Sequence, residues 1–253
     1  MSIWGIYSCF YDLSLRNLFP YRQLLDDLSS ALEVKGGERI LDAGCGPGAV
    51  IERVIKESRG KTISVVGVDF NRGMIGRARK RCMKLPDVRL QVADLNRNLE
   101  FPDNSFDRVV CSNVLYALEN PERVLSEFYR VLKPGAVVVI ANPKPNAGER
   151  ELVREHLRTL RRLSPFRRRA YHMVVLILLI PVSLVVTMIN KIILTRARNR
   201  EYHFLDKDSL SRILREVRFR NINISSCYAD QDWLVRAEKW ESGQDGEDRV
   251  SDS

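Results

Sequence analysis

The sequence predicts an α/β fold built on a mostly parallel sheet with helices on both faces, and three observations carry that expectation. A short apolar strand at Ile40-Leu41 runs into a turn, Asp42-Ala43-Gly44-Cys45-Gly46-Pro47-Gly48, with glycine at alternate positions. The turn opens a helix over Ala49–Ile55, where Val50, Val54 and Ile51, Ile55 recur at four-residue spacing. A second β-branched strand, Ile63–Asp69, then ends in a carboxylate about twenty residues beyond the glycines, as the acid that holds a ribose diol does in a nucleotide-binding unit.

The detail of the turn decides which nucleoside it suits. A pyrophosphate fingerprint spaces its glycines G-x-G-x-x-G, whereas Gly44, Gly46 and Gly48 run G-x-G-x-G with Asp42 two residues ahead. Asp42 would repel a phosphate and attract an ammonium. S-adenosylmethionine, with adenosine, an aminocarboxylate and no phosphate, is the donor that this charge pattern favours. Glycines without side chains let the backbone approach it closely.

Later segments continue the pattern. Val92-Ala93-Asp94-Leu95 places an acid at a third strand end. Phe101-Pro102-Asp103-Asn104-Ser105-Phe106-Asp107 leads into a fourth strand that exits at Asn113-Val114-Leu115. Pro121–Ile140, with Lys133-Pro134-Gly135 inside it, looks like a helix, a tight turn and a fifth strand in succession. Asp208–Val217 reads as a helix, with strands at Asn221–Ile224 and Trp233–Ala237. This ordered series resembles the class I S-adenosylmethionine-dependent methyltransferases, in the branch that acts on small molecules and lipids, densely over residues 35–142 and loosely over 201–237.

The resemblance implies a Rossmann-like, seven-stranded, mostly parallel sheet with an N-terminal helical arm and an apolar helical lid insertion. It implies that Gly44, Gly46 and Gly48 pass under the methionine part of the donor and that Asp69 binds the ribose. Asp42 would lie near the ammonium through water, and Asp94 would accept from the adenine amino group while the backbone of Leu95 reads the ring edge. Phe70 and Met74 would supply apolar contact and Asn113 would close the donor site. An early Tyr-Asp pair, Tyr11-Asp12, matches one that family members fold over the donor. Simple core packing accounts for Phe70 and Met74 nearly as well. Ordinary strand-end turn chemistry is the alternative for Asp69 and Asp94, and it ranks well behind the binding role.

The sulfonium already makes its methyl group electrophilic, so the protein must chiefly align an acceptor behind it and exclude water. Tyr116, just past the fourth strand, is a candidate to orient that acceptor or simply to pack. His203 is a candidate base, with a surface role as the plainer alternative.

Composition bounds the rest. The 253 residues, 45% apolar, suffice for one large α/β core, and no repeat is evident. Expected divisions are a helical arm over 1–34, the donor-binding core over 35–150, a basic and apolar insertion over 151–200, completion of the sheet over 201–240 and a disordered polar tail over 241–253. Five cysteines scattered without metal-ligand spacing, and a start lacking a basic segment and apolar run, predict a cytoplasmic chain without a bound metal.

Met173–Ile189 contains no charge and is flanked by Arg158, Arg161, Arg162, Arg167, Arg168 and Arg169 on one side and Lys191, Arg196, Arg198 and Arg200 on the other. Such a segment suits an interfacial hairpin on anionic lipid, broken at Pro181, through residues 171–200. If the last two strands join the same sheet, a single crossing is excluded. A dimer interface or a buried lid is the alternative use of the apolar area. The expected acceptor is a hydrophobic small molecule or lipid. The net charge of +9 permits RNA, but with 8% aromatics and none inside the apolar run, RNA methylation ranks well behind, alongside a non-catalytic donor-binding scaffold.

Overall fold

The computed structural model describes residues 18–58, 60–162 and 202–240. Tyr11, the apolar run from Met173 to Ile189 and the tail lie outside these. In chain order the elements are α1 (Phe19–Leu32), β1 (Arg39–Ala43), α2 (Ala49–Glu57), β2 (Ser64–Asp69), α3 (Arg72–Cys82), β3 (Val88–Val92), β4 (Phe106–Ser112), a short 3₁₀ turn (Leu115–Ala117), α4 (Pro121–Val131), β5 (Leu132–Pro143), α5 (Glu149–Arg162), α6 (Lys207–Glu216), β6 (Phe219–Cys227) and β7 (Asp232–Lys239).

Seven strands form one sheet in the order β3-β2-β1-β4-β5-β7-β6. The pairs β1–β2, β2–β3, β1–β4 and β4–β5 are parallel, and β7 inserts antiparallel to both β5 and β6. Chain direction along the sheet therefore reverses its winding between β1 and β4, which opens a crevice at their carboxyl ends. Because β7 runs opposite to β5, its first residues reach this same rim, with Asp232 opposite Pro143.

Side-chain alternation divides the strands between two cores. Leu41, Val66, Val109, Val138 and Ile140 pack with Leu125 and Phe128 of α4 and Leu210 and Leu214 of α6. Their neighbours Ile40, Val65, Val110 and Val139 pack on the other face with Leu24 and Leu28 of α1, Val50 and Ile51 of α2 and Ile75 of α3. Strands buried on both faces read as continuous β-branched runs, as Ser64–Asp69 and Val137–Ile140 do.

Local chemistry starts the helices where the spacing predicts them. Asn71 accepts from the backbone of Gly73 at 2.9 Å, and Asn120, followed by Pro121, accepts from Arg123 at 3.0 Å. Asp206 accepts from Ser209 at 2.7 Å, which holds its carboxyl below its ordinary pKa. Lys133-Pro134-Gly135 differs from expectation. It is no free-standing turn, because Leu132 already pairs with Phe106 and the register then jumps to Arg108 opposite Val137, so the segment is a bulge within β5.

Arg108 locks the arm to the sheet. Its guanidinium, buried with Glu38 at 2.8 Å, also donates to the carbonyl of Leu32 at 2.8 Å, so the end of α1 and the approach to β1 share one charge. Under α4, Glu127 accepts from the backbone of Leu99 at 2.7 Å while Arg130 donates to the carbonyls of Leu99 and Phe101. This fixes the loop that leads into β4.

Leu28 is fully buried where α1 meets the sheet. Leu28→Ala is expected to lower the unfolding free energy by about 2–5 kcal/mol in urea denaturation, because the cavity cannot collapse between helix and sheet.

Candidate functional site

The rim of the crevice begins where β1 ends. Gly44 and Cys45 both donate to the carbonyl of Val68 at 2.8 and 2.9 Å, so the turn is tied to β2 before it bends away. At Gly44, φ is +80° and an added Cβ would stand 2.3 Å from Val114, so only glycine fits between the turn and the exit of β4. Gly46 also has positive φ, but an added Cβ would meet nothing within 4 Å. The turn is thus closed on its Val114 side and open at Gly46. Gly48 is the left-handed residue that starts α2.

Asp69 holds the open part of the turn. One carboxylate oxygen accepts from the backbone of Gly46 at 3.0 Å and the other from Asn71 at 2.8 Å. Burial raises its pKa, and the two donors oppose that rise. Asp42 has no such help. It is 1% exposed, and both its oxygens lack a hydrogen-bond partner. Burial, with Asp69 nearby, pushes its carboxyl up to about 8. Such a group holds its proton at neutral pH until a cation beside it draws it into the anionic form, and that form repels a phosphate.

The other sequence candidates are placed as follows. Asp94 is exposed two residues past β3, where its side chain accepts from the backbone of Asn96 at 2.9 Å, and Leu95 is buried behind it. Phe70 is 54% exposed at the tip of β2 and Met74 is half-buried on the first turn of α3. Phe70 is therefore not part of the core, which removes packing as its explanation.

Tyr116 is buried in the 3₁₀ turn, stacked on Phe204 at 5.2 Å between ring centroids. The backbone of His203 donates to the carbonyl of Tyr116 at 2.6 Å, and its Nε2 lies 3.1 Å from the carbonyl of Glu119. The two catalytic candidates are thus neighbours, although 87 positions separate them in sequence. Burial pushes the Tyr116 phenol well above its ordinary pKa, so it keeps its proton and can orient an acceptor but cannot take a proton from one.

Asn113 has φ of +54°, and its backbone donates to Ala141 at 2.8 Å. Its side-chain amide donates to Asp232. Sequence reasoning missed Asp232, because an acid before Trp233 reads as an ordinary turn residue. Only the antiparallel insertion of β7 carries it to the rim.

Comparison with known proteins agrees with this geometry. Residues 41–140 match the family model described as methyltransferase domain. A SAM-dependent methyltransferase from Aquifex aeolicus superposes with a TM-score of 0.58 at 18% identity, over 94% of this chain and 99% of that one. The fold is that of the class I S-adenosylmethionine-dependent methyltransferases. Among curated sequences, phosphatidylethanolamine N-methyltransferase of Cereibacter sphaeroides is 36% identical over 109 residues, which is 42% of this chain and 51% of that protein. Demethylmenaquinone methyltransferase of Paenarthrobacter aurescens is 34% identical over 129 residues, 51% of this chain and 47% of that protein. The chain therefore aligns with about half the length of these two relatives.

S-adenosylmethionine is the cofactor of this methyltransferase fold, and the rim fits it. The unpartnered Asp42 suits its ammonium, and the space above Gly46 would be lost to any side chain there. Among the described residues no group of His, Cys, Asp and Glu could hold a metal.

Asp42 and Asp232 make stability depend on pH. Their folded-state values, about 8 and about 7, exceed the ordinary 3.8, so the folded chain holds protons that the unfolded chain releases. The stabilisation is complete below about 3.8 and is lost as pH rises through 7 and 8. Denaturation in urea without ligand is expected to give a lower unfolding free energy at pH 9 than at pH 5, and Asp42→Asn is expected to flatten that slope.

Proposed function

We propose that this chain is a methyltransferase moving the methyl group of S-adenosylmethionine to a hydrophobic or amphiphilic acceptor by direct in-line displacement. The observation that carries the reading is the pairing of a buried, unpartnered Asp42, which a cation beside it would draw into the anionic form, with a glycine turn whose open position is held by Asp69. The fold, the methyltransferase-domain match over 41–140 and the lipid-type acceptors named for the two relatives support it.

In this reading each residue has a distinct task. Asp69 accepts the ribose hydroxyls on the lone pairs its two backbone donors leave over, and Asp42 faces the ammonium through water. Asp94 takes the adenine amino group with the backbone of Leu95 at the ring edge, and the exposed Phe70 and half-buried Met74 cover the base. Gly44, Gly46 and Gly48 bring the backbone under the methionine part, Tyr11 folds over it, and Asn113 closes the donor site. Tyr116 orients the acceptor and His203 holds Tyr116 in place through its backbone. The bound donor supplies the electrophilic methyl, so the protein's work is alignment and exclusion of water.

The acceptor class extends to membrane contact. Among the described residues no helix is long and apolar enough to cross a membrane. The chain leaves the described fold after α5 and returns before α6, β6 and β7, which share one sheet with β1–β5. The described chain before and after the uncharged run, up to Arg162 and from Tyr202, is therefore on one side of any bilayer. Its basic flanks favour the cytoplasmic face. An interfacial placement gives a lipid acceptor lateral entry.

Tritiated S-adenosylmethionine is to be incubated with the protein and three acceptor pools: vesicles of phosphatidylethanolamine, vesicles carrying demethylmenaquinone, and total RNA. Label is expected in a vesicle pool. Label confined to RNA would reject the acceptor class, and no label with donor bound would favour a scaffold. By calorimetry, Asp69→Ala is expected to weaken donor binding by about 10- to 100-fold, the loss of one or two hydrogen bonds to a charged acceptor. Unchanged affinity would reject its ribose role. Deletion of Met173–Ile189 is expected to abolish sedimentation with anionic vesicles while leaving donor affinity unchanged.

A further inference from the structure

A second buried carboxylate stands at the β7 end of the rim, outside the tasks described above. Asp232 is 2% exposed at the first position of β7, opposite Pro143 of β5 and Cys227 of β6. One oxygen is engaged by the Asn113 amide, and Oδ2 lacks any hydrogen-bond partner. Around it lie two further polar atoms in the same condition, Asn113 Oδ1 and Asn142 Oδ1, on the ends of β4 and β5. A buried carboxylate with an idle oxygen is costly unless something else uses it.

Its position relative to the donor turn is set by adjoining contacts. Gly44 abuts Val114, Val114 follows Asn113, and Asn113 donates to Asp232. The arrangement therefore runs from the glycine turn to Asp232 across the ends of β4 and β5, with Tyr116 near enough for its phenol to feel the Asp232 charge. Tyr116 keeps its proton, and the Nε2 of His203 lies 3.1 Å from the carbonyl of Glu119.

We propose that Asp232 is the catalytic base of this site, taking through Oδ2 the proton that the acceptor loses on methylation, with Asn113 as the positioning residue that fixes its other oxygen. The inference rests on the methyltransferase reading above. As the acceptor atom forms its bond to the methyl carbon, the bond from that carbon to the donor's sulfur breaks and leaves its electron pair on sulfur. The proton released by the acceptor passes to Asp232, the carboxylate becomes a neutral carboxyl, and the proton is then returned to water. A base suited to this must be anionic at working pH yet hold a proton better than an exposed aspartate does. Burial pushes Asp232 up to about 7, while the Asn113 bond and the charge of Lys144 hold it from rising further. The groups facing it are Asn113 and Tyr116 from the end of β4, Lys144 from the end of β5 and the Cys227 thiol from β6. Lys144 is itself paired with Asp230 and packed over the Trp233 ring, so it offsets the charge from a distance without neutralising it.

The test pairs titration with transfer. In protein carrying ¹³C-carboxyl aspartate, one signal lost in Asp232→Asn is expected to titrate near 7, with or without S-adenosylhomocysteine. A signal titrating near 4 would overturn the proposal even if no acceptor were labelled. With phosphatidylethanolamine vesicles and tritiated donor, wild-type transfer is expected to rise with pH through that same value. Asp232→Asn is expected to lose on the order of 100-fold or more in kcat together with that limb of the profile, while calorimetric donor affinity stays within about twofold. Asn113→Ala, assayed at saturating donor, is expected to shift the limb. An Asp232→Asn enzyme that keeps both rate and limb would overturn the assignment. Loss of donor binding by the wild type would instead refute the methyltransferase reading, and the carboxyl titration still reports on Asp232.

Discussion

Two acids at the ends of adjacent parallel strands, one supplied with backbone donors and one with none, set the character of this molecule. Asp69 accepts from Gly46 and Asn71, so its charge is spent on shaping the turn. Asp42, one strand over and more deeply buried, has no donor at all. A chain selected only for stability would replace such a group by an apolar residue of similar size, because an isolated buried carboxylate opposes folding at neutral pH. Its retention at the crevice makes sense when a cation completes the site.

The same logic extends along the rim. Asp232 is the second carboxylate with an idle oxygen, and β4 and β5 lie between its strand and the one that carries the donor turn. The sheet brings these groups together by topology. Parallel strands direct their carboxyl ends to one edge, and the single antiparallel strand, β7, brings its amino end to meet them. Burial on both faces by α1–α3 and by α4 and α6 removes the strands from water, which strengthens the fields at the one edge left for chemistry.

Much of the fold was legible in the sequence because the signals were local. Glycine at alternate positions after Ile40-Leu41, the β-branched run ending at Asp69, and Asn120-Pro121 before an amphipathic helix each express a backbone requirement within a few residues. Where a requirement depended on a distant partner, the reading stopped short. Lys133-Pro134-Gly135 looks like a turn until the pairing of Leu132 with Phe106 makes it a bulge. Strands β6 and β7 begin earlier than their apolar residues suggest, because edge and antiparallel positions tolerate polar residues such as Asn221, Asn223 and Asp232.

The candidate site divides in the same way. Asp42, Gly44, Gly46 and Asp69 stand in one motif and its following strand, so spacing sufficed to find them. Asp232 carries no spacing signal. Its partner Asn113 is 119 positions away, and only the register of β7 on β5 connects them. The most direct measurement of the central claim is a crystal structure grown with S-adenosylhomocysteine. The account predicts its ribose diol on Asp69, its amino group on the Asp42 side of the glycine turn and its sulfur toward Asn113. A ligand bound elsewhere, or a crevice filled by protein side chains at Gly46, would contradict it.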